Sequence, residues 1–270
     1  MGGRLEGEVA LITGASRGFG ERIAKAFAQE GAAVALFARS SGDIETHVRA
    51  IEADGGRAIA IKGDVTEQAD VERAVKETKD RLGAATILVN NAGIPGPFGP
   101  IGHVDPEEWW RALTIHIKAP MMFMGAVLPD MRSAGRGRII NVASIGGTMI
   151  RKAMSAYGVG KCAEIRLTEH VAAETQGEGI NAFSIQPGLV ATGMTDATVG
   201  DPNAQKWAPH MIATIKERAK THADPEAGLQ RCAEMCIDLA SGDFDILSGR
   251  FLLPEDDFAA LKRDAEAHAG

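Results

Sequence analysis

Short apolar runs and longer amphipathic stretches alternate along this chain almost to its end. Residues Glu8–Thr13, Ala33–Ala38, Arg57–Gly63, Ile87–Val89, Arg138–Val142, Ile180–Ile185 and Ile246–Leu253 are short enough to be buried strands. Apolar residues three and four apart fill the intervals. In 21–30 they are Ile23, Ala24, Phe27 and Ala28, and helices are likewise predicted over 43–53, 71–82, 106–131, 155–175 and 225–240. An acidic helix is predicted after the last strand. Strands alternating with amphipathic helices argue for an α/β fold, a doubly wound parallel sheet of about seven strands in three layers, with helices on both faces.

Polar and glycine positions at the strand ends carry the candidate chemistry. Gly14, Gly18 and Gly20 follow the first strand directly and open the first helix. That order presents backbone N–H groups where a pyrophosphate can bind; the alternative is a tight turn. The second strand ends at Ala38 and Arg39. In dinucleotide folds an acidic residue here accepts bonds from the adenosine ribose, whereas arginine accommodates a 2′-phosphate. Arg39, with Arg17 in the glycine loop, favours NADP(H), with NAD(H) as the alternative. Asp64, after the third strand, fits either a bond to the adenine amino group or a cap on the next helix, with Glu67 nearby. Asp105 as N-cap, Pro106 at N1 and Glu108 at N3 mark a helix start. Met121, Met122, Phe123 and Met124 read as core or subunit contact. Met194–Thr221, with Trp207, Met211, Ile212 and Ile215 among polar neighbours, reads as a substrate lid (about 189–222) or as a surface helix pair.

Tyr157 and Lys161 stand four residues apart on a predicted helix, so their side chains share a face. Tyr157 is the only tyrosine of the 270 residues. Ser144 lies upstream, just past the apolar run Arg138–Val142, where a hydroxyl facing the Tyr/Lys helix could help hold a carbonyl oxygen. A phenol titrates near pH ~10, so proton transfer near neutrality needs a shift of roughly 3 units, or about 4 kcal/mol. One ammonium at ~4 Å, at an effective dielectric of ~20, supplies about that much. A tyrosine and lysine at this spacing are also a common accident on helices, so their surroundings decide.

Composition narrows the classes. A chain of 270 residues fits one domain, 1–270, and its 32 glycines suit many tight strand–helix turns. The net charge of −7, with no block of lysine or arginine, argues against a nucleic-acid partner. Met1–Leu5 carries no apolar signal segment, Glu6 stands where a myristoylation pattern needs Ser or Thr, and no run approaches membrane-spanning length. A soluble cytoplasmic protein with no membrane partner is expected. Cys162, Cys232 and Cys236 give no disulfide framework. Without a histidine cluster, Cys232 and Cys236 read as small buried residues rather than metal ligands, and no metal is expected.

Taken together, these pieces resemble the short-chain dehydrogenase/reductase family in its compact single-domain, Rossmann-like branch, over nearly the whole length. Thr13, Gly14, Gly18 and Gly20 match its cofactor loop, and Asn90, Asn91, Ala92 and Gly93 match its motif after the fourth strand. Ser144, Tyr157 and Lys161 match its catalytic trio, and Pro187, Gly188 and Thr192 its nicotinamide-side loop. The resemblance implies hydride transfer between a nicotinamide and a ketone or secondary alcohol. Tyr157 would exchange the proton, Ser144 would bond the carbonyl oxygen, and Lys161 would lower the Tyr157 pKa and bond the nicotinamide ribose. It implies a cofactor site built from Gly14, Ser16, Arg17, Gly18, Phe19, Gly20, Arg39, Asp64, Val65, Asn91, Ala92, Gly93, Tyr157, Lys161, Pro187, Gly188, Val190 and Thr192. It also implies a homodimer or homotetramer, with a small-molecule carbonyl or alcohol substrate.

The chain departs from the family twice. His116 replaces an asparagine that holds a water linking the lysine to solvent; the imidazole either serves that relay or is a core histidine that breaks it. Leu253–Asp257 replaces a glycine-rich ending, altering either a subunit interface or the pocket edge. Two other functions compete with the enzyme reading. One is a catalytically silent nucleotide-binding regulator on the same fold. The other is a sugar-nucleotide epimerase or dehydratase, disfavoured because the chain lacks length for a separate substrate domain. The apolar lid residues Met194, Trp207 and Met211 point to a hydrophobic or cyclic ketone.

Overall fold

The structure, a computed structural model, describes residues 2–190, 192–221 and 224–268. Ala191 and His222, both within the expected lid, lie outside the described residues. Seven parallel strands form one sheet in the order β3-β2-β1-β4-β5-β6-β7. They are β1 (Val9–Thr13), β2 (Ala33–Ala38), β3 (Arg57–Lys62), β4 (Ile87–Asn90), β5 (Gly137–Val142), β6 (Ile180–Ile185) and β7 (Phe251–Leu252). The helices are α1 (Gly18–Gln29), α2 (Ser41–Ala53), α3 (Gln68–Arg81), α4 (Pro106–Leu113), α5 (Ala119–Ala134), α6 (Ser155–Glu174), α7 (Gly193–Gly200), α8 (Pro202–Trp207), α9 (Pro209–Thr221), α10 (Pro225–Ser241) and α11 (Phe258–His268).

Alternation along each strand builds two cores. Ala10, Ile12, Val34, Leu36, Ile140 and Phe183 point to one face, where α1, α2, α10 and α11 cover them. Leu11, Ala35, Phe37, Leu88, Ile139 and Ala182 point to the other, beneath α3, α5 and α6. Each large side chain so buried contributes about 1.5–3 kcal/mol, which is why the strands read as continuous apolar runs. A third cluster lies outside the sheet. Phe98 and Met154 meet Ala204, Ala208, Met211, Ile212 and Ile215 of α8 and α9.

The strand order reverses beside β1. β2 and β3 lie to one side, and β4 to β7 lie to the other, so the loops after β1 and β4 diverge and leave a crevice at their carboxyl ends.

Several elements differ from the expected spans. β7 is two residues rather than a run from Ile246, because 245–247 forms a 3₁₀ turn and Gly249, at φ +87°, redirects the chain. α1 begins at Gly18, inside the glycine loop. Asp105 caps α4 as expected, its Oδ1 accepting from Glu107 N (2.8 Å) and Glu108 N (3.1 Å). The Glu108 carboxylate pairs with Arg111 instead of returning to the cap. No run of membrane-spanning length was expected, yet Pro106–Ala134 is a continuous rod long and apolar enough to cross one. Half of its most apolar window is buried in the fold, with Phe123, Met124, Val127 and Met131 on the sheet. That apolarity serves the core.

Within this rod, Thr114–Lys118 is a π-turn, the Ala119 N–H reaching back to Thr114 O. Pro120 accounts for it. A regular helix would have residue 120 donate to the His116 carbonyl, and proline has no N–H to give. The widened turn carries His116 against α6, where a Cβ on Gly160 would fall 2.8 Å from His116 Cβ. We expect Gly160→Ala to cost about 1–3 kcal/mol through overpacking, read as a lower urea midpoint at unchanged m-value. An unchanged midpoint would mean that α6 and the π-turn are not in close contact.

Candidate active site

The turns after β1 and β4 are locked together. Thr13 Oγ1 accepts from Asn91 N (3.0 Å) and Ala92 N (3.1 Å), while Asn91 Nδ2 donates to Thr13 O (3.0 Å) and Gly14 O (3.1 Å). A Cβ on Gly20 would fall 2.5 Å from both Asn91 Nδ2 and Gly14 O, and one on Gly14 would fall 2.9 Å from Ala92 Cα. These two glycines are therefore required by close backbone approach. The Arg17 N-cap of α1 offers no side-chain cap bond, which leaves the helix's first N–H groups to the crevice.

A cleft of about 780 Å³ opens there. Its wall includes Gly14, Ser16, Arg17, Gly18, Phe19, Arg39, Asp64, Val65, Asn91, Ala92, Gly93 and Thr192. The glycine cradle, the free helix N-terminus and the volume fit a dinucleotide. Gly20 acts from behind the wall, and neither Pro187 nor Val190 lines it. Val190 packs instead on α10, where a Cβ on Gly228 would fall 2.6 Å from its Cγ2. Arg17 reaches across the cleft, its guanidinium 2.9 Å from where a Gly193 Cβ would stand, while Arg39 is exposed at the end of β2. Asp64 does not cap α3. Its Oδ1 accepts from Thr66 N (2.9 Å) and Thr66 Oγ1 (2.8 Å).

A second cavity, about 220 Å³, holds Ser144, Tyr157 and Gly188. Pro95 and Met194 line both cavities, so the two spaces meet there. Ser144 Oγ accepts from Gly146 N (3.0 Å). A Cβ placed on Gly146 would lie 3.3 Å from Ser144 Oγ and 3.0 Å from Tyr157 Cε1, which puts serine and tyrosine side by side. Met194 and Met211 line this cavity and Trp207 does not; it stacks on His103 at 5.2 Å. The wall is also not uniformly apolar, since it includes Arg151. Among the described residues, that guanidinium has no carboxylate partner, only a Met211 Sδ contact at 3.9 Å. The unusual tail, Leu253, Pro254 and Glu255, borders the pocket.

Lys161, one turn after Tyr157 on α6, is buried at 4% exposure. Its Nζ donates to Val142 O (2.6 Å) and to Glu164 Oε2 (2.7 Å). Glu164, 1% exposed, was not singled out from the sequence. The available signal was a charged residue at the third position after Lys161, on the same buried helix face. Burial pushes the Glu164 carboxyl up to about 7, against the opposing pull of Lys161. A hydrogen-bonded ladder fixes the region. Asn90 Nδ2 donates to Asn141 Oδ1, Asn141 Nδ2 to Thr168 Oγ1, and Thr168 Oγ1 to Glu164 O, each at 2.8 Å.

His116 is fully buried, edge to face with Tyr157 at 5.5 Å. One of its nitrogens, Nε2, lies 2.9 Å from Ile94 O and so carries the proton it donates there. The other, Nδ1, is buried without a hydrogen-bond partner. Desolvation, with the nearby Lys161 charge, pushes the imidazole down to about 3, so the ring is neutral at working pH.

The family model for short chain dehydrogenases matches residues 8–203. A short chain dehydrogenase of Pseudocercospora fijiensis is 32% identical, covering 99% of this chain and 86% of that protein. The 2-(S)-hydroxypropyl-CoM dehydrogenase 3 of Xanthobacter autotrophicus is 35% identical over 79% of this chain and 84% of its own. A gluconate 5-dehydrogenase from Burkholderia cenocepacia, solved with NADP and tartrate, superposes with a TM-score of 0.79 at 30% identity, covering 93% of this chain and 94% of that one. The chain belongs to the short-chain dehydrogenase family. It is an NAD(P)-dependent oxidoreductase on a Rossmann-like fold.

The two buried titrations oppose each other in stability. His116 titrates near 6.5 when unfolded and about 3 when folded, so its contribution is present above pH ~6.5 and is lost as pH falls toward 3. Glu164 titrates near 4.5 unfolded and about 7 folded, so its contribution is present below ~4.5 and is lost as pH rises through 7. Each is worth a few kcal/mol, and between pH ~4.5 and ~6.5 the slopes cancel. Replacing His116 with Asn removes one of them. We expect the variant's urea midpoint to gain on the native one as pH drops from about 7 to 5. A pH-independent difference would show that His116 is not buried neutral.

Proposed function

We propose that this protein is an NADP(H)-dependent carbonyl reductase or alcohol dehydrogenase in which Ser144, Tyr157 and Lys161 carry the proton chemistry. The observation that carries this reading is the adjacency of Ser144 and Tyr157 in a pocket that opens on the dinucleotide cleft, with Lys161 one turn after Tyr157 on α6 and its ammonium held at the end of β5. Bound nicotinamide supplies or takes the hydride. Ser144 Oγ and the Tyr157 hydroxyl converge on the substrate oxygen. Tyr157 gives its proton when a ketone is reduced and takes one when an alcohol is oxidised. Lys161 stabilises the phenolate, and its remaining N–H would hold the ribose of a bound nicotinamide. His116, neutral and open at Nδ1, passes protons onward from the lysine. If His116 serves this relay, the Asn variant moves the proton-linked limb of the pH–rate profile; an unmoved limb removes it from the relay.

Arg39 at the ribose end of the cleft supports NADP(H). NAD(H) would need a carboxylate for its ribose hydroxyls, and Asp43 in the same wall is the available one. Arg151 supports a substrate carrying an anionic group beside its carbonyl or hydroxyl, which adds to the hydrophobic or cyclic ketone expected from the lid. The likeness to a gluconate 5-dehydrogenase points the same way. In this reading residues 1–270 act as one catalytic domain with a lid over 189–222. Exposed Trp110, Met121 and Val159 on α4, α5 and α6 pair the subunits of a soluble cytoplasmic homodimer or homotetramer.

Turnover of NADPH and NADH with a panel of ketones and keto acids tests the assignment. Tyr157→Phe is expected to lower kcat by about 10²–10⁴-fold while leaving NADPH fluorescence binding intact. Retained turnover in that variant removes Tyr157 from the chemistry. Arg151→Met is expected to raise KM for a keto acid about tenfold or more, and to leave KM for its methyl ester unchanged. Equal effects on acid and ester would place the anion elsewhere.

A further inference from the structure

We propose that Glu164 is a positioning residue whose charge, held against Lys161 at the end remote from solvent, sets the field that Lys161 exerts on Tyr157. The inference rests on the reading of Tyr157 as the proton-exchanging group and adds a control element to it.

The geometry makes the case. Two of the three Lys161 N–H bonds are fixed, one to Val142 O and one to Glu164 Oε2, so the ammonium is tethered in place and one donor is left for the site. Lysine and glutamate are both almost fully buried. An ion pair in that setting is poor stabilising material, because the desolvation of both charges offsets much of their attraction. An apolar residue at 164 would pack on the same helix face without that cost. Lys161 is required by the chemistry, and Glu164 is the group that answers it. The pair is further braced from behind, with Thr168 Oγ1 donating to Glu164 O and itself held by Asn141.

The charge state of this pair depends on pH in the working range. Burial holds the Glu164 carboxyl near 7. Around it, the π-turn presents His116, which stays neutral, and β5 presents the Val142 carbonyl and the uncharged Asn141. Below about pH 7 the pair therefore carries one positive charge, one helical turn from Tyr157. Above it, ionised Glu164 cancels that charge at a distance. The phenol is activated most strongly when Glu164 is protonated, and the activation weakens as pH rises. Glu164 thereby spreads the proton-taking ability of Tyr157 over a wider pH range than a lone lysine would give.

The solitary tyrosine makes this directly measurable, because the ultraviolet absorbance of phenolate reports Tyr157 alone and requires neither substrate nor cofactor. Glu164→Gln keeps a hydrogen-bond acceptor for Lys161 and removes the charge. We expect its phenolate midpoint about one pH unit below that of the native protein, a tenfold larger phenolate population at a given pH. Glu164→Asp keeps the charge and should stay near the native midpoint. Identical midpoints for native and Gln proteins overturn the proposal. So does an Asp variant that moves as far as Gln, since packing would then be the cause. Should the Gln variant not fold, infrared spectra of the native protein decide. A protonated buried carboxyl band near pH 6 must give way to carboxylate by pH 8, and a carboxyl still protonated at pH 8 overturns the proposal, because no charge would then face Lys161. If Tyr157→Phe turns over normally while Gln still shifts the phenol, it is the proposed function that fails and not this electrostatic coupling.

Discussion

An ammonium taken out of water must find partners that repay its lost hydration, and at this site the partners of Lys161 determine where everything else stands. Val142 O, at the end of β5, pins the lysine to the sheet, and Glu164 pins it along its own helix. Tyr157, one turn earlier on α6, is thereby brought beside Ser144, which follows the same strand. The Asn90–Asn141–Thr168 ladder continues the constraint across β4, β5 and α6. The position of the Tyr157 phenol is therefore set by buried polar contacts on regular elements, which hold side chains more tightly than loops do.

The sheet was legible because each parallel strand, covered on both faces, is apolar over most of its length, with polar residues confined mainly to strand ends. That leaves a signature no surface helix imitates. The exceptions have local causes. β7 shrank because an apolar run does not reveal a backbone turn, and the turn at Gly249 ends the pairing that the run from Ile246 predicts. The rod Pro106–Ala134 was too apolar for its exposure because it serves the sheet along one side and presents Trp110 and Met121 outward along another. The π-turn within it was implicit in Pro120, four residues past His116, but a missing N–H in a helix permits several outcomes and only packing selects one.

At the site, the glycine loop, Ser144 and Tyr157 are each weak as isolated motifs and become candidates through their order along the chain and the family resemblance. Glu164 could not be found that way. A glutamate three residues after a lysine is the commonest of surface pairs, and nothing in the string of letters says that this one is buried. Arg17 was placed with Arg39 by residue type, whereas its side chain turns to Gly193, because direction across a cleft depends on which neighbouring position lacks a Cβ. Trp207 was grouped with the lid methionines by hydrophobicity and instead found His103 as a stacking partner.

His116 is the departure on which the competing, catalytically silent reading leaned, and its surroundings argue the other way. A larger ring at this position needs room on more than one side. Gly160 supplies it on α6, and Gly93 supplies it after β4, where a Cβ would fall 3.1 Å from His116 Cε1. The ring's proton is committed to Ile94 O and its lone pair is left facing the interior. A residue that had merely drifted after loss of function would not need a loop carbonyl and two glycines arranged about it, nor would it leave Ser144 and Tyr157 together in the adjoining cavity. The ring is seated in room that Gly93 and Gly160 leave for it, so the departure from the family pattern is matched by the residues around it.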